Sequence, residues 1–135
     1  MKFPWRSDRA PSRPGYRSEA VVESNAVPGV KFTIAKMSFG RRVELMRRVR
    51  ELARRCDFLS ASEDAGEKMD AALLQSEIER VYVLWGVKSV SGLTVNGSVA
   101  DVELMAAEGP EALFREALAA VRREAGLNEE ERKNS

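Results

Sequence analysis

Glu67-Lys-Met-Asp-Ala-Ala-Leu-Leu-Gln-Ser-Glu-Ile-Glu-Arg-Val-Tyr-Val-Leu-Trp85 is the stretch on which the fold turns. Ala71, Leu74, Ile78, Val81, Tyr82 and Trp85 recur at the 3.6-residue helical period and make one apolar face. Met69, Leu73, Val83 and Leu84 populate another side. A helix apolar on two sides contacts neighbours on both, so this segment is expected to be the central core element. Gly86 ends it.

Upstream, Ser38 is a good helix N-cap, and a helix is expected from there to about Leu59. Leu45, Val49, Leu52 and Cys56 form one stripe, with Met46 and Ala53 flanking it. Arg47, Arg48, Arg50, Arg54 and Arg55 occupy the rest of the circumference. Glu44 precedes Arg48 by four residues and Glu51 precedes Arg55 by four, the favourable orientation for intrahelical ion pairs. The segment Ala61–Gly66 breaks the pattern. Before the helix, Val30, Phe32 and Ile34 alternate with Lys31 and Thr33, which reads as a short strand over Val30–Ala35.

Residues 1–26 read as a flexible Pro/Arg-rich arm. Pro4, Pro11, Pro14 and Gly15 punctuate it, and Phe3, Trp5 and Tyr16 stand apart rather than in a period. Too little apolar surface is present there to offset an ordering cost of roughly 1–2 kcal/mol per residue. Aromatic side chains in such an arm, Phe3 and Trp5, are candidate anchors for a partner protein.

Downstream, Val87–Ala100 is rich in β-branched residues and contains Asn96-Gly97, the strongest short hairpin signal, so a two-stranded ribbon is expected around that turn. Asp101 can cap a short helix ending near Gly109. Pro110 suits the first position of a further helix, whose buried stripe is Leu113, Phe114, Ala117, Leu118 and Val121. Gly126 has the character of a C′ residue, with Leu127 folding back onto Val121, and Asn128 with Glu131 repeats the capping pattern. The expected architecture is α+β, mainly α: one small helical domain over residues 27–135 with a short β-ribbon, preceded by a disordered N-terminal arm.

Composition narrows the chemistry. The 135 residues are 44% hydrophobic and 32% charged, as in an ordinary globular domain. No apolar run approaches the roughly 18 residues that cross a bilayer, and the first 25 residues lack the apolar core of a secretory signal. Histidine is absent, which removes Ser-His-Asp triads, Cys-His pairs and histidine metal sites. Cys56 is the single cysteine, so an internal disulfide or thiolate-rich metal site is excluded and a reduced, cytoplasmic setting is expected.

Charge is unevenly distributed. Residues 1–56 carry 14 Lys/Arg against 5 Asp/Glu, and residues 57–135 carry 8 against 16, so a +9 segment precedes a −8 segment. Such polarity can act within a chain, between copies or toward a charged partner. The basic helix could place Arg41, Arg42, Arg47, Arg48, Arg50, Arg54 and Arg55 on phosphates, with steep salt dependence. Against this stand the absence of interleaved aromatics and a preference for arginine over lysine of 16 to 6 throughout the chain, so a solvated helix face is the plainer account.

Gly92-Leu-Thr-Val-Asn-Gly97-Ser98 has the glycine spacing of a phosphate loop but lacks the lysine that such a loop needs, and a hairpin explains it better. The acids Glu63, Asp64 and Glu67, and again Glu129, Glu130 and Glu131, lie at helix starts, where capping and the helix dipole account for them. Cys56 lies on the apolar stripe, the position of an inert thiol; exposure beside Arg55 would instead favour the thiolate. Trp85, Tyr82 and Phe114 are read as core. No catalytic residue, cofactor or metal site is expected.

The order of elements carries a resemblance. Phe32-Thr-Ile-Ala-Lys-Met-Ser-Phe-Gly-Arg-Arg42 leads from a strand into a basic helix, and a second helix ends in Trp85-Gly86-Val87. The ribbon Gly92-Leu-Thr-Val-Asn-Gly97 follows, then Glu108-Gly-Pro-Glu-Ala-Leu113 and a closing Gly126-Leu-Asn-Glu-Glu-Glu-Arg-Lys-Asn-Ser135. Over about residues 30–135 this layout resembles the tail assembly chaperones of long-tailed bacteriophages and related small tail-associated proteins. The resemblance implies a small, mostly helical, self-associating protein of the host cytoplasm with no enzymatic activity and no cofactor. It implies binding to the tape measure protein while tail tube proteins polymerise around it, and often a longer frameshifted product. Two further readings stand beside it: a small nucleic-acid-binding protein using residues 41–55, and a structural tail or neck component retained in the virion.

Overall fold

The computed structural model describes residues 19–124. Two strands open it, β1 (Glu19–Glu23) and β2 (Lys31–Ala35), followed by two long helices, α1 (Phe39–Ser60) and α2 (Ala65–Gly86). Strand β3 (Val87–Ser91) continues directly from α2. The pair β4 (Thr94–Val95) and β5 (Ser98–Val99) comes next, and helices α3 (Val102–Glu108) and α4 (Glu111–Glu124) complete the described chain. The fold is α+β and mainly α, as the sequence indicates.

The sheet is antiparallel, in the order β1-β2-β3. On its inner face Val22 lies opposite Phe32 and Ala20 opposite Ile34, while Phe32 also faces Val90 and Ile34 faces Val87 beyond an irregularity at Thr33/Ile34. Val30, Phe32 and Ile34 are fully buried. Helix α4 covers this face, and Leu113, Ala117, Leu118, Ala120 and Val121 disappear from solvent as it does so. Short helix α3 closes the side toward β3 and β4 with the buried Met105.

Two expectations need correction. Within the span read as an arm, residues 1–26, Glu19–Glu23 is a strand, held by pairing with β2 rather than marked by a period of its own. Residues 1–18, with Phe3, Trp5 and Tyr16, and residues 125–135, with Gly126, Leu127, Asn128 and the acids Glu129, Glu130 and Glu131, lie outside the described residues. Second, Val87–Ser91 does not belong to the ribbon. It joins β2 as the third strand of the sheet, and the ribbon is confined to β4 and β5. Its turn is as expected, with Asn96 at φ 50° and Gly97 at φ 82°, the left-handed pair of a tight hairpin.

The β1–β2 connection is fixed from a distance. Val30 N–H donates to the Val27 carbonyl at 3.2 Å across Pro28-Gly29. The Ser24 hydroxyl donates to Glu116 of α4, and the same carboxylate accepts from the Asn25 N–H at 2.6 Å and the Ala26 N–H at 3.4 Å. Partial burial works against ionisation of Glu116, but these three donors together outweigh it and hold the carboxyl below its ordinary range.

A depressed native value has a defined sign. The stabilisation is complete above the unfolded-state value near 4.5 and fades as pH falls through the lower folded-state one. Glu116→Gln is expected to destabilise by about 1–2 kcal/mol at pH 7, since two amides lose a charged acceptor. Denaturant titrations from pH 7 to pH 3 should show the difference from the parent chain shrinking with acid. A difference that stays constant refutes the assignment.

Candidate partner-binding face

Helix α1 starts where the sequence places it. The Ser38 side chain accepts from the Arg41 N–H at 3.2 Å, and Asp64 caps α2 by accepting from the Glu67 N–H at 2.9 Å. Ser62 donates to Glu67 at 2.7 Å, so Asp64 works as the cap while Glu67, in the first turn, ties down Ser62 ahead of the helix. Among the described residues no three metal-ligating side chains converge. No helix among them is long and apolar enough to cross a membrane.

The two 22-residue helices pack against each other along their length, about 33 Å. Leu45, Val49 and Leu52 of α1 meet Ala71, Leu74, Ile78, Val81 and Tyr82 of α2 in a buried seam. Cys56 sits at this seam, half-buried, its thiol donating to the Ala71 carbonyl at 3.3 Å. Helix α4 and the sheet cover the second face of α2 only toward its C-terminal end, where Val83 and Gly86 are buried. Farther back that face is open. Met69 and Leu73, expected to contact a neighbour, are 64% and 63% exposed. Trp85 and Phe114 are half-buried and lean on the core from outside.

The candidate arginines divide by what they touch. Arg41 stacks over the Trp85 ring at 4.5 Å and donates to the Trp85 carbonyl at 3.3 Å, so it tethers α1 to the end of α2. Arg47 pairs with Glu44 at 2.6 Å one turn away, in place of the expected Glu44–Arg48 pair. Glu51 and Arg55 likewise do not pair. Arg42 lines a shallow outer depression with Val43, Met46, Arg47 and Arg50.

Arg48, Arg54 and Arg55 converge on one groove of about 880 Å³ between the helices. Leu52 and Leu59 form its floor and Phe58 its rim; Glu51 and Glu77 are the acidic members. The groove runs on toward the base of the pair as a smaller depression of about 310 Å³ between Arg48, Arg80, Val81, Leu84 and Trp85. Phe58 is 77% exposed and escaped the sequence reading. The available signal was an aromatic lying off the apolar stripe of an otherwise amphipathic helix.

The groove's two carboxylates, Glu51 and Glu77, are exposed, and the arrangement offers apolar area bordered by cations. The chain matches no protein-family model, no curated protein and no solved structure.

Proposed function

We propose that the protein acts by reversible attachment to other polypeptides, as a tail assembly chaperone of long-tailed bacteriophages that holds the tape measure protein until tail tube subunits enclose it. On this reading it works in the host cytoplasm, associates with itself and transforms no substrate. The supporting observation is the α1–α2 pair. Phe58, Met69 and Leu73 are held out to solvent on its loop-proximal half, beside the unpaired Arg48, Arg54 and Arg55. A long helical client needs many weak contacts of this kind, whose combined strength comes from effective concentration. The order of elements from the β2 strand to α4 adds the resemblance described above.

The test is co-expression with the tape measure protein of the same genome. The expected result is a soluble complex that co-elutes in size-exclusion chromatography, with the protein missing from purified virions by mass spectrometry. Presence at stoichiometric amounts in virions would identify a structural component instead. A monodisperse monomer at high concentration and low salt that leaves the client insoluble overturns the reading.

One observation favours a second reading, nucleic-acid binding. Among the described residues the groove arginines Arg48, Arg54 and Arg55 lack an acidic partner within ion-pair distance. If these three sat on phosphates, log K for a nonspecific 20-base-pair duplex would fall against log salt with a slope of about −2.7. The expected result is no measurable binding at low salt, because Glu51 and Glu77 lie among Arg48, Arg54 and Arg55. A slope near that value would transfer the function to nucleic acid.

A further inference from the structure

The groove between α1 and α2 has a chemistry more specific than a general adhesive surface. Its floor is aliphatic, supplied by Leu52 and Leu59 and continued by Val81 and Leu84, and Phe58 stands at its outer edge. Its borders carry four guanidinium groups, Arg48, Arg54, Arg55 and Arg80, against the two carboxylates of Glu51 and Glu77. None of the four arginines is in an ion pair among the described residues. Arg48 and Arg55 are seven residues apart, two helical turns on one flank of α1. The cationic border is thus a row parallel to the groove rather than a single spot.

An aliphatic trough between two parallel ridges of a helix pair takes a third helix, which lays its own apolar stripe on the floor. We infer that this groove binds an amphipathic helix whose Leu/Ile/Phe face is flanked by Glu and Asp. Such carboxylates meet the Arg48–Arg55 row. A phosphate backbone has no apolar face for Leu52, Leu59 and Phe58 and is repelled by Glu51 and Glu77. A second copy presenting the same groove would set arginine against arginine. The inference rests on the reading of the protein as a polypeptide-binding chaperone and supplies the client segment that this surface selects.

The probe is a fluorescent 18-residue peptide, helical by design, with leucine at i, i+3, i+4 and i+7 positions and glutamate on both flanks. Three companions accompany it: a lysine-flanked version, a scrambled version of the same composition, and a 20-base-pair duplex. Anisotropy titrations on the full chain are expected to show binding of the glutamate-flanked helix, at least tenfold weaker binding of the lysine-flanked one and none of the other two. The double substitution R48E/R55E should weaken the first peptide at least tenfold and improve the lysine-flanked one. F58A should weaken both. R50E, on the opposite flank of α1 beside Met46 and Val43, should leave the order of the peptides unchanged.

Far-UV circular dichroism and melting of each variant check that it folds, and all four positions are exposed enough that folding should be preserved. Equal affinity for the glutamate-flanked and scrambled peptides overturns the inference, as does indifference to R48E/R55E. Preference for the duplex, or a concentration-dependent dimer that F58A dissolves, would assign the groove to nucleic acid or to a second copy and equally overturn it. The tape measure complex separates the two levels. Capture of the client that survives R48E/R55E and F58A refutes the groove and leaves the chaperone reading standing. Peptide binding without client capture does the reverse.

Discussion

Gly92→Ala is expected to lower stability by about 3–5 kcal/mol, far more than one added methyl suggests. Gly92 follows β3 with φ at +79°, where an L side chain is strained by roughly 1–2 kcal/mol. Crowding adds the larger part. A Cβ built there would stand 2.2 Å from the backbone carbonyl oxygen of Gly29, and a backbone oxygen cannot rotate away as a side chain can. Gly29 belongs to the turn joining β1 to β2, so relief would require moving either that hairpin or the end of β3. Gly97→Ala is the matched control, because Gly97 has φ +82° but open space where its Cβ would be. It should lose only about 1–2 kcal/mol, the conformational part alone. Urea denaturation of both variants measures the two losses, and their difference isolates the contact. Equal losses would mean that Gly92 serves the turn and not the approach of the two backbones.

That contact also shows where sequence reading stops. Helices α1 and α2 are legible to within two residues at their starts and one at their ends because their signals are local. Ser38, Asp64 and Gly86 punctuate them, and the apolar period between is long enough to be unambiguous. The turn at Asn96-Gly97 and the cap at Asp101 are legible for the same reason. What escaped is whatever depends on a distant partner. Glu19-Ala-Val-Val-Glu23 is an unremarkable run until β2 lies beside it, and Val87–Ser91 becomes a sheet strand only by pairing with residues more than fifty positions earlier. Glu116 holds Ser24 across 92 positions. On the binding face, the basic character of α1 was plain, but not which arginines are engaged. Glu44 pairs with Arg47 three residues away rather than with Arg48 four away, both of which a helix permits. Arg41 was claimed by Trp85 of another helix. The groove is a property of two helices together, and Phe58 gains its meaning only when Leu52, Leu59 and Glu77 are seen around it.

Phe32→Ala is expected to cost about 3–5 kcal/mol and to lower the melting temperature by roughly 10–20 °C, whereas Phe58→Ala should change stability by less than about 0.5 kcal/mol. The residue type is the same, and the surroundings reverse the outcome. Phe32 lies on the middle strand, fully buried, with Val22 opposite on one side, Val90 opposite on the other and α4 above. Truncation there removes an aromatic ring from a closed space whose walls, two strands and a helix, cannot all collapse inward. The lost transfer energy is therefore joined by a cavity term. Phe58 is 77% exposed in the folded chain, so little apolar burial is given up when it is removed. Calorimetry of the two variants reads the difference directly. Keeping an aromatic ring in water on a rigid helix adds nothing to the fold, and such a residue is explained by what covers it in a complex. A large stability loss from Phe58→Ala would place the ring within the protein's own packing and withdraw it from the binding face.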